Sequence, residues 1–324
     1  MLFFADDVYN PYIQDSQKVF YKAKTWYTSM QAAPNNTQQA LIVNEILENM
    51  IRAIFGSNMI EQAGLGWYIT EDLCRRVFAG EHIEAVSEKD ASCQEVYLDL
   101  CQQQADLPRQ PIEQVLRGRN EIVQHAKAYQ HLIHEFVIEK QDLTEDLIKA
   151  THAILTEGVP IVEPNMPIVP PEKYDGIYRS VIVIAGTTNF TVPSFIPAKM
   201  EMMCGSLKSD MATAAEQNTV DPFSLAAKYS LEFVSIHPFQ DGNGRMCRMI
   251  LNAILCRYAG IIIPIGEQAK ERKEYLEIKV RGCSLMLGHG EYATFVLQRA
   301  VPRLRKMKKL AGTRAKGSGG KESG

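Results

Sequence analysis

The chain has 324 residues, 46% of them hydrophobic and 23% charged, which is enough apolar material for a sizeable core in one large domain or two smaller ones. A formal net charge of -3 and a pI near 6.2 exclude the basic stripe of a typical nucleic-acid-binding domain, so no nucleic-acid partner is expected. No run approaches the roughly 18 apolar residues that span a bilayer, and the start lacks a basic region followed by an apolar one, so a cytoplasmic protein with no membrane partner is expected.

Apolar residues return every three or four positions at Leu41, Val43, Ile46, Met50, Ile51 and Ile54, which predicts a helix within an N-terminal helical region reaching to about residue 110. The same period predicts helices over about 113–136, 144–157, 196–216, 222–236, 243–259, 267–286 and 290–309, so the fold class expected is all-α. His125, His131 and His134 fall on the first of these; no Asp, Glu or Cys pattern completes a metal site, and they are read as exposed polar residues. The texture changes at the Pro-rich run EGVPIVEPNMPIVPPEKYDG. The β-branched stretch from Tyr178 to Gly186 that follows predicts a small β-hairpin flap, about 176–186, set into the helical bundle. Seven scattered cysteines form no C-x-x-C pair and are expected to be reduced packing residues. The Gly, Ser and Lys of 311–324 have almost nothing to bury, so a disordered tail is expected.

The chemistry gathers in His237-Pro-Phe-Gln-Asp-Gly-Asn-Gly-Arg-Met-Cys-Arg248. Asp221 is a plausible N-cap and Pro222 a first helical residue for the helix before it, and Pro238 forces that helix to stop at His237. Gly242-Asn243-Gly244 gives a tight turn into the next helix, so the motif is a loop between two helices that ends on a helix N-terminus. Free N–H groups and the helix dipole there favour a polyphosphate, and two glycines let its oxygens approach. Arg245 and Arg248, three apart, fall on one helix face and can clamp phosphates. Asp241 offers a hard oxygen ligand for Mg²⁺, and His237 can take a proton from an attacking hydroxyl near neutral pH.

This segment resembles the signature of the Fic (filamentation-induced-by-cAMP) family, H-P-F-x-D/E-G-N-G-R-x-x-R, with all nine specified positions filled. The resemblance implies a Fic-type helical bundle, here placed at 111–310, that transfers AMP from Mg-ATP to a hydroxyl side chain of a target protein. On that pattern His237 is the base, Asp241 holds the metal, and Gly242, Asn243 and Gly244 line the phosphates. Arg245 and Arg248 bind the distal phosphates, and Phe239 packs beneath the loop. Gly176-Ile-Tyr-Arg179, with Val181, Val183 and Gly186, is similar to the family's flap, which holds the target segment by strand-like pairing and borders the nucleotide near Ala185. Asn252 and Tyr275 resemble residues around the adenine pocket; an asparagine often found beyond that tyrosine has no match.

Upstream, Ser57-Asn-Met-Ile-Glu61-Gln62 resembles the family's autoinhibitory motif, S/T-x-x-x-E-G/N, departing from it at Gln62. Ser57 can N-cap a short helix over about 57–61 that aims Glu61 into a nearby cationic site. The resemblance implies that Glu61 pairs with Arg248 and denies it to the γ-phosphate. In a subset of the family the inhibitory residue also positions the water that removes AMP, so deAMPylation is a second expectation. Brakes of this family are often tuned by self-association, which admits a homodimer.

Each residue alone has a plainer reading: His237 as a helix-end histidine, Asp241 as a turn residue, Arg245 and Arg248 as a solvated face, Glu61 as a surface carboxylate. Together they favour a site. Two rivals remain: transfer of UMP or phosphate, against which Gly244 speaks because the phosphate-transferring branch has lysine there, and a nucleotide-sensing scaffold without catalysis, against which the complete His237, Asp241 and Arg248 set speaks.

Overall fold

The computed structural model describes residues 36–163, 166–185, 188–217, 219–284 and 288–312, together with Ala23 and Thr25. Among them are ten α-helices: α1 (Asn36–Ile60), α2 (Trp67–Phe78), α3 (Cys93–Gln103), α4 (Ile112–Leu132), α5 (Glu145–Thr156), α6 (Ile196–Glu216), α7 (Pro222–Ile236), α8 (Asn243–Ala259), α9 (Ala269–Ser284) and α10 (Gly290–Ala311). The helix α4 runs on as a π-helical turn, Ile133–Ile138. No described helix is long and apolar enough to cross a membrane, and the seven cysteines are unpaired.

The hairpin of α7 and α8 lies at the centre. The Asp221 side chain accepts from the Phe223 and Ser224 N–H groups, both at 3.1 Å, and Pro222 supplies a helical φ at no hydrogen-bonding cost. The helix ends at Ile236 because Pro238 bars helical backbone before it, and His237 turns left-handed at φ 54°. Gly242 at φ 77° opens α8, and Gly260 at φ 63° closes it, both in the region where a Cβ is a burden. Apolar residues cover α8 on nearly every side, including Met246, Met249, Ile250, Leu251, Ile254 and Leu255, all buried. Such a helix is an interior one. It packs against α7, α4, the π-helical turn and α1, and it carries Arg245 and Arg248 into the interior with it.

The expected N-terminal region shares this core. Met50, Ile51 and Ile54 of α1, Ile69 and Leu73 of α2, and Val123 and Ala126 of α4 join one cluster with Ile254 of α8, each buried Met, Ile, Leu or Val side chain contributing about 1.5–3 kcal/mol.

The structure departs from the periodicity reading in four places. Ser57 is no N-cap: the amphipathic helix does not stop before it, so Ser57 lies in the last turn of the 25-residue α1 and Glu61 just past its end. The turn is closed by Gln62 at φ 54° and by an Ala63 N–H to Asn58 O bond of 2.9 Å, the 6→1 bond of a Schellman turn, so Gln62 fills the place usually given to Gly or Asn. The flap is an extended loop and not a developed hairpin. Among the described residues of the flap, β1 (Ile184–Ala185) pairs with β2 (Thr188–Asn189), antiparallel, with Ile184 opposite Asn189, and Gly186 lies outside the described residues. His125 is fully buried rather than exposed, its Nδ1 2.8 Å from Asn58 Oδ1, because this face of α4 turns toward α1 and α8; His131 is half-buried and His134 exposed. The tail expected from 311 still carries Ala311 within α10, and residues from 313 onward lie outside the described ones.

Candidate active site

The His237 ring is fixed from two sides. Its Nδ1 lies 3.2 Å from Val234 O, so Nδ1–H donates and Nε2 is left as the basic nitrogen. The ring of Phe190 stacks on it, centroids 3.7 Å apart at 19°. Burial pushes the imidazole down to about 4. Arg179 adds to this, while Val234 O, Glu61 and Asp241 work against it. His237 is therefore a neutral base across the physiological range.

The loop from His237 to α8 is shaped by its own side chains. Asn243 clamps the Phe239 main chain, accepting from its N–H at 3.0 Å and donating to its O at 2.8 Å. That bond pattern spends the Asn243 amide on the loop rather than on a ligand. Phe239 packs beneath the loop as expected, fully buried and stacked on His152 with centroids 3.7 Å apart. The Asp241 carboxylate meets Arg245 Nη2 at 3.1 Å. Burial works to raise its pKa, but Arg245, the Gly242 N–H, Arg117 and His152 outweigh it and hold the group ionised below the usual range.

Arg245 is buried, and its Nε and Nη1 have no hydrogen-bond partner. Unsatisfied buried donors are costly, and these two sit beside the N-terminus of α8, where peptide N–H groups and the helix dipole also favour an anion. An anionic oxygen is the partner such donors suit, so the donor set has the chemistry of a phosphate site. Among the described residues no group of three or more His, Cys, Asp and Glu is gathered for a metal. The single ionised Asp241, its side chain 37% exposed, still suits Mg²⁺, which pairs one or two carboxylates with substrate phosphates and water.

Arg248, 4% exposed, is held by α1: its Nε donates to Ser57 Oγ at 2.8 Å, and its Nη2 to Ser57 O at 3.2 Å and Glu61 Oε1 at 2.5 Å. Burial acts to lower its pKa, but Glu61 and Tyr275 more than offset this, and it stays charged. The Tyr275 ring lies 5.8 Å from the guanidinium and is itself buried among Tyr292 and Phe295. A Cβ on Gly244 would collide with Glu61 Oε1, so a side chain there needs that carboxylate to move. Asn252 binds the Ile263 main chain, accepting from its N–H at 2.7 Å and donating to its O at 3.1 Å, and so shapes the 260–264 connection. Ala185 ends β1, the strand that borders the loop carrying Phe190.

Three site residues carried no assigned role in the sequence reading. His152 Nδ1 accepts from Gly176 N–H at 3.0 Å, so its Nε2–H donates to Asp241 O at 2.9 Å, joining the flap to the motif. Arg179, noted only as part of the flap, bonds to His237 O at 2.7 Å. Phe190 covers the base. A histidine between Ile148 and Leu155 on α5 looks like any core residue, and no spacing links Arg179 or Phe190 to residue 237.

A Fic/DOC family profile matches residues 142–255, which hold both flap and motif. A Fido domain-containing protein of Dictyostelium discoideum is 36% identical over 103 residues, covering 32% of this chain and 68% of that protein. The protein adenylyltransferase fic-1 of Caenorhabditis elegans is 35% identical over 88 residues, 26% of this chain, and the match spans only 17% of that relative's length. A Fic domain-containing signaling protein of Bacteroides thetaiotaomicron shares the fold, with a TM-score of 0.61 at 18% identity, over 92% of this chain and 98% of that one.

Proposed function

The chain belongs to the Fic/DOC family, and from that premise we propose that it is a protein adenylyltransferase. It transfers AMP from Mg-ATP to a Ser, Thr or Tyr hydroxyl of a target protein and is held off by Glu61. The observation that carries this reading is the pair of unpaired, buried donors on Arg245 in the first turn of α8, eight residues along the chain from a neutral base.

His237 Nε2 takes the proton as the target hydroxyl oxygen bonds to the α-phosphorus, and the bond to the β-phosphate breaks, with pyrophosphate leaving. Arg245 and the N–H groups opening α8 stabilise the charge that develops on the phosphate oxygens. Bound at Asp241, Mg²⁺ would neutralise part of that charge and orient the phosphates. Arg248 is the group to receive the distal phosphate, and while Glu61 and Ser57 hold it the nucleotide binds without the productive geometry. The exposed apolar flap side chains Val181, Ile182 and Ile184 suit an extended segment of the target laid along β1. Gly244 favours AMP over phosphate transfer, since the phosphate-transferring branch of the family that this motif resembles has lysine at that position.

A second reading concerns Glu61 itself. Its carboxylate, 35% exposed, lies within electrostatic reach of His237, as a group that aligns water for removal of AMP would.

Labelled ATP separates these readings. The Glu61→Gly protein is expected to place label from the α-phosphate, and none from the γ-phosphate, on itself or on a lysate protein. The added change His237→Ala abolishes the label. Label from the γ-phosphate would mean phosphate transfer, and no label from ATP, UTP or CTP would overturn the enzymatic reading. Loss of AMP from a labelled target with the wild-type chain, absent with Glu61→Gly, would establish the reverse reaction.

A further inference from the structure

Arg179 is 5% exposed, and the donors the structure pairs all go to main-chain oxygens. Its own N–H donates to Pro238 O at 2.9 Å and its Nε to His237 O at 2.7 Å. Its Nη1 donates to Val181 O at 2.8 Å and its Nη2 to Thr191 O at 2.6 Å, with Ile236 O at 3.5 Å. Three of these acceptors close α7, where a helix leaves carbonyls without partners and its dipole favours a cation. The other two are on the flap, on either side of the β1–β2 pairing. One planar fork thus ties the end of α7 to both limbs of the flap.

The conformation it holds is left-handed. His237 sits at φ 54° and ψ 61° at the end of α7, a setting uncommon for residues other than Gly. Bonds to the carbonyls of Ile236, His237 and Pro238 hold it from one residue, the first two from the Arg179 side chain and the last from its main-chain N–H, and Phe190, carried between β2 and Thr191, covers the ring.

We infer that Arg179 is the positioning residue of the base, fixing the His237 backbone and coupling it to the flap, so that order in the flap sets the geometry of the His237 ring. This rests on the proposed transfer reaction. It implies that a target segment lying on the flap aligns the base it will react with. Lysine cannot replace the fork, because one ammonium cannot span His237, Val181 and Thr191 together. The charged groups facing the ring are Arg179 from the flap, Glu61 from the end of α1 and Asp241 from the motif loop.

The experiment uses the full chain with Glu61→Gly as the active reference, and adds Arg179→Lys or Arg179→Gln. Transfer kinetics are measured alongside the ¹³C-labelled His237 ring resonance, identified by His237→Ala and followed by NMR over about pH 4–8. With Gln, kcat is expected to fall on the order of a hundredfold, the scale of a roughly 1 Å misplacement, while KM for ATP is unchanged and the His237 titration moves up for want of the nearby cation. With Lys, the charge stays, so the titration holds while kcat still falls roughly tenfold or more. An unchanged kcat with either variant, or an unmoved His237 resonance and titration with Gln, overturns the inference. If the reference itself transfers no label, the reaction reading fails separately and the NMR titration alone decides the role of Arg179. If Gln unfolds the chain, judged by thermal melting, the Lys variant carries the kinetic test, with any displacement of its His237 resonance as the second readout.

Discussion

Glu61 Oε1 stands 2.5 Å from Arg248 Nη2, across a sequence separation of 187 residues, where α1 ends against the motif helix. The pair satisfies an arginine that α8 buries, and on the proposed reading it occupies the donor a distal phosphate would need.

Removing Glu61 therefore exposes that donor. Glu61→Gly is expected to raise AMP incorporation about ten- to a hundredfold, the equivalent of about 1.5–3 kcal/mol for a hydrogen bond to a charged group. Ser57→Ala removes the 2.8 Å bond to Arg248 Nε but leaves Glu61, so its gain should be smaller, roughly twofold to fivefold. Initial rates with α-labelled ATP check both. Equal rates for Glu61→Gly and wild type would dismiss the brake.

Gly244→Ala should couple to Glu61. The added methyl would collide with the Glu61 carboxylate, whose next alternative is to swing off Arg248. In a double-mutant cycle on stability, Gly244→Ala is expected to cost clearly more in the wild-type background than in Glu61→Gly, with a coupling of about 0.5–3 kcal/mol. Additive costs from urea melts would show that the two residues do not meet in solution.

Asn252→Ala tests a structural role. It leaves Ile263 N–H and C=O buried without partners and should destabilise by about 2–4 kcal/mol. ATP affinity measured on the still-folded fraction should weaken less than stability does. A large loss of nucleotide binding with no loss of stability would instead return Asn252 to the base pocket.

Stability should fall in mild acid. Burial holds both His152 and His237 down to about 4, below the roughly 6.5 of an unfolded histidine. Between those values the unfolded chain binds protons that the native state refuses, so stability is complete above about pH 6.5, declines as the pH drops toward 4, and levels off below. His152 is fully buried, and its Nδ1 already accepts from Gly176, so protonation would set two N–H groups against each other. Its share of the loss approaches about 3 kcal/mol. Urea denaturation at several pH values should show the decline, and His152→Gln should lower stability near neutral pH yet flatten the slope. A flat wild-type profile from pH 7.5 to about 5 would contradict the buried neutral state.

Much of the fold was legible because its signals are local. The start of α7 follows from Asp221 and Pro222, its end from Pro238, and the limits of α8 from Gly242 and Gly260, each a constraint on a few neighbouring dihedral angles. The short helix expected at 57–61 misread one such signal: Ser57 has the chemistry of a cap, but the apolar stripe of α1 runs through it. The flap's β-branched run favoured strand, yet pairing needs a partner strand, and among the described residues two on each side find one.

The sequence by itself determined the chemistry available at 237–248: an imidazole, a carboxylate, a Gly-Asn-Gly turn and two guanidinium groups, because covalent order alone puts them within one loop and the first two turns of a helix. Only the tertiary structure decided how they are held. Burial of α8 drew both arginines inside and left Arg245 with donors to fill. The end of α1 brought Glu61 to Arg248, α5 set His152 under Asp241, and the flap placed Arg179 and Phe190 around His237. Those pairings join residues 47 to 187 positions apart, and no hydrophobic period or turn residue encodes a contact of that range; it exists only once the shared core has folded around it.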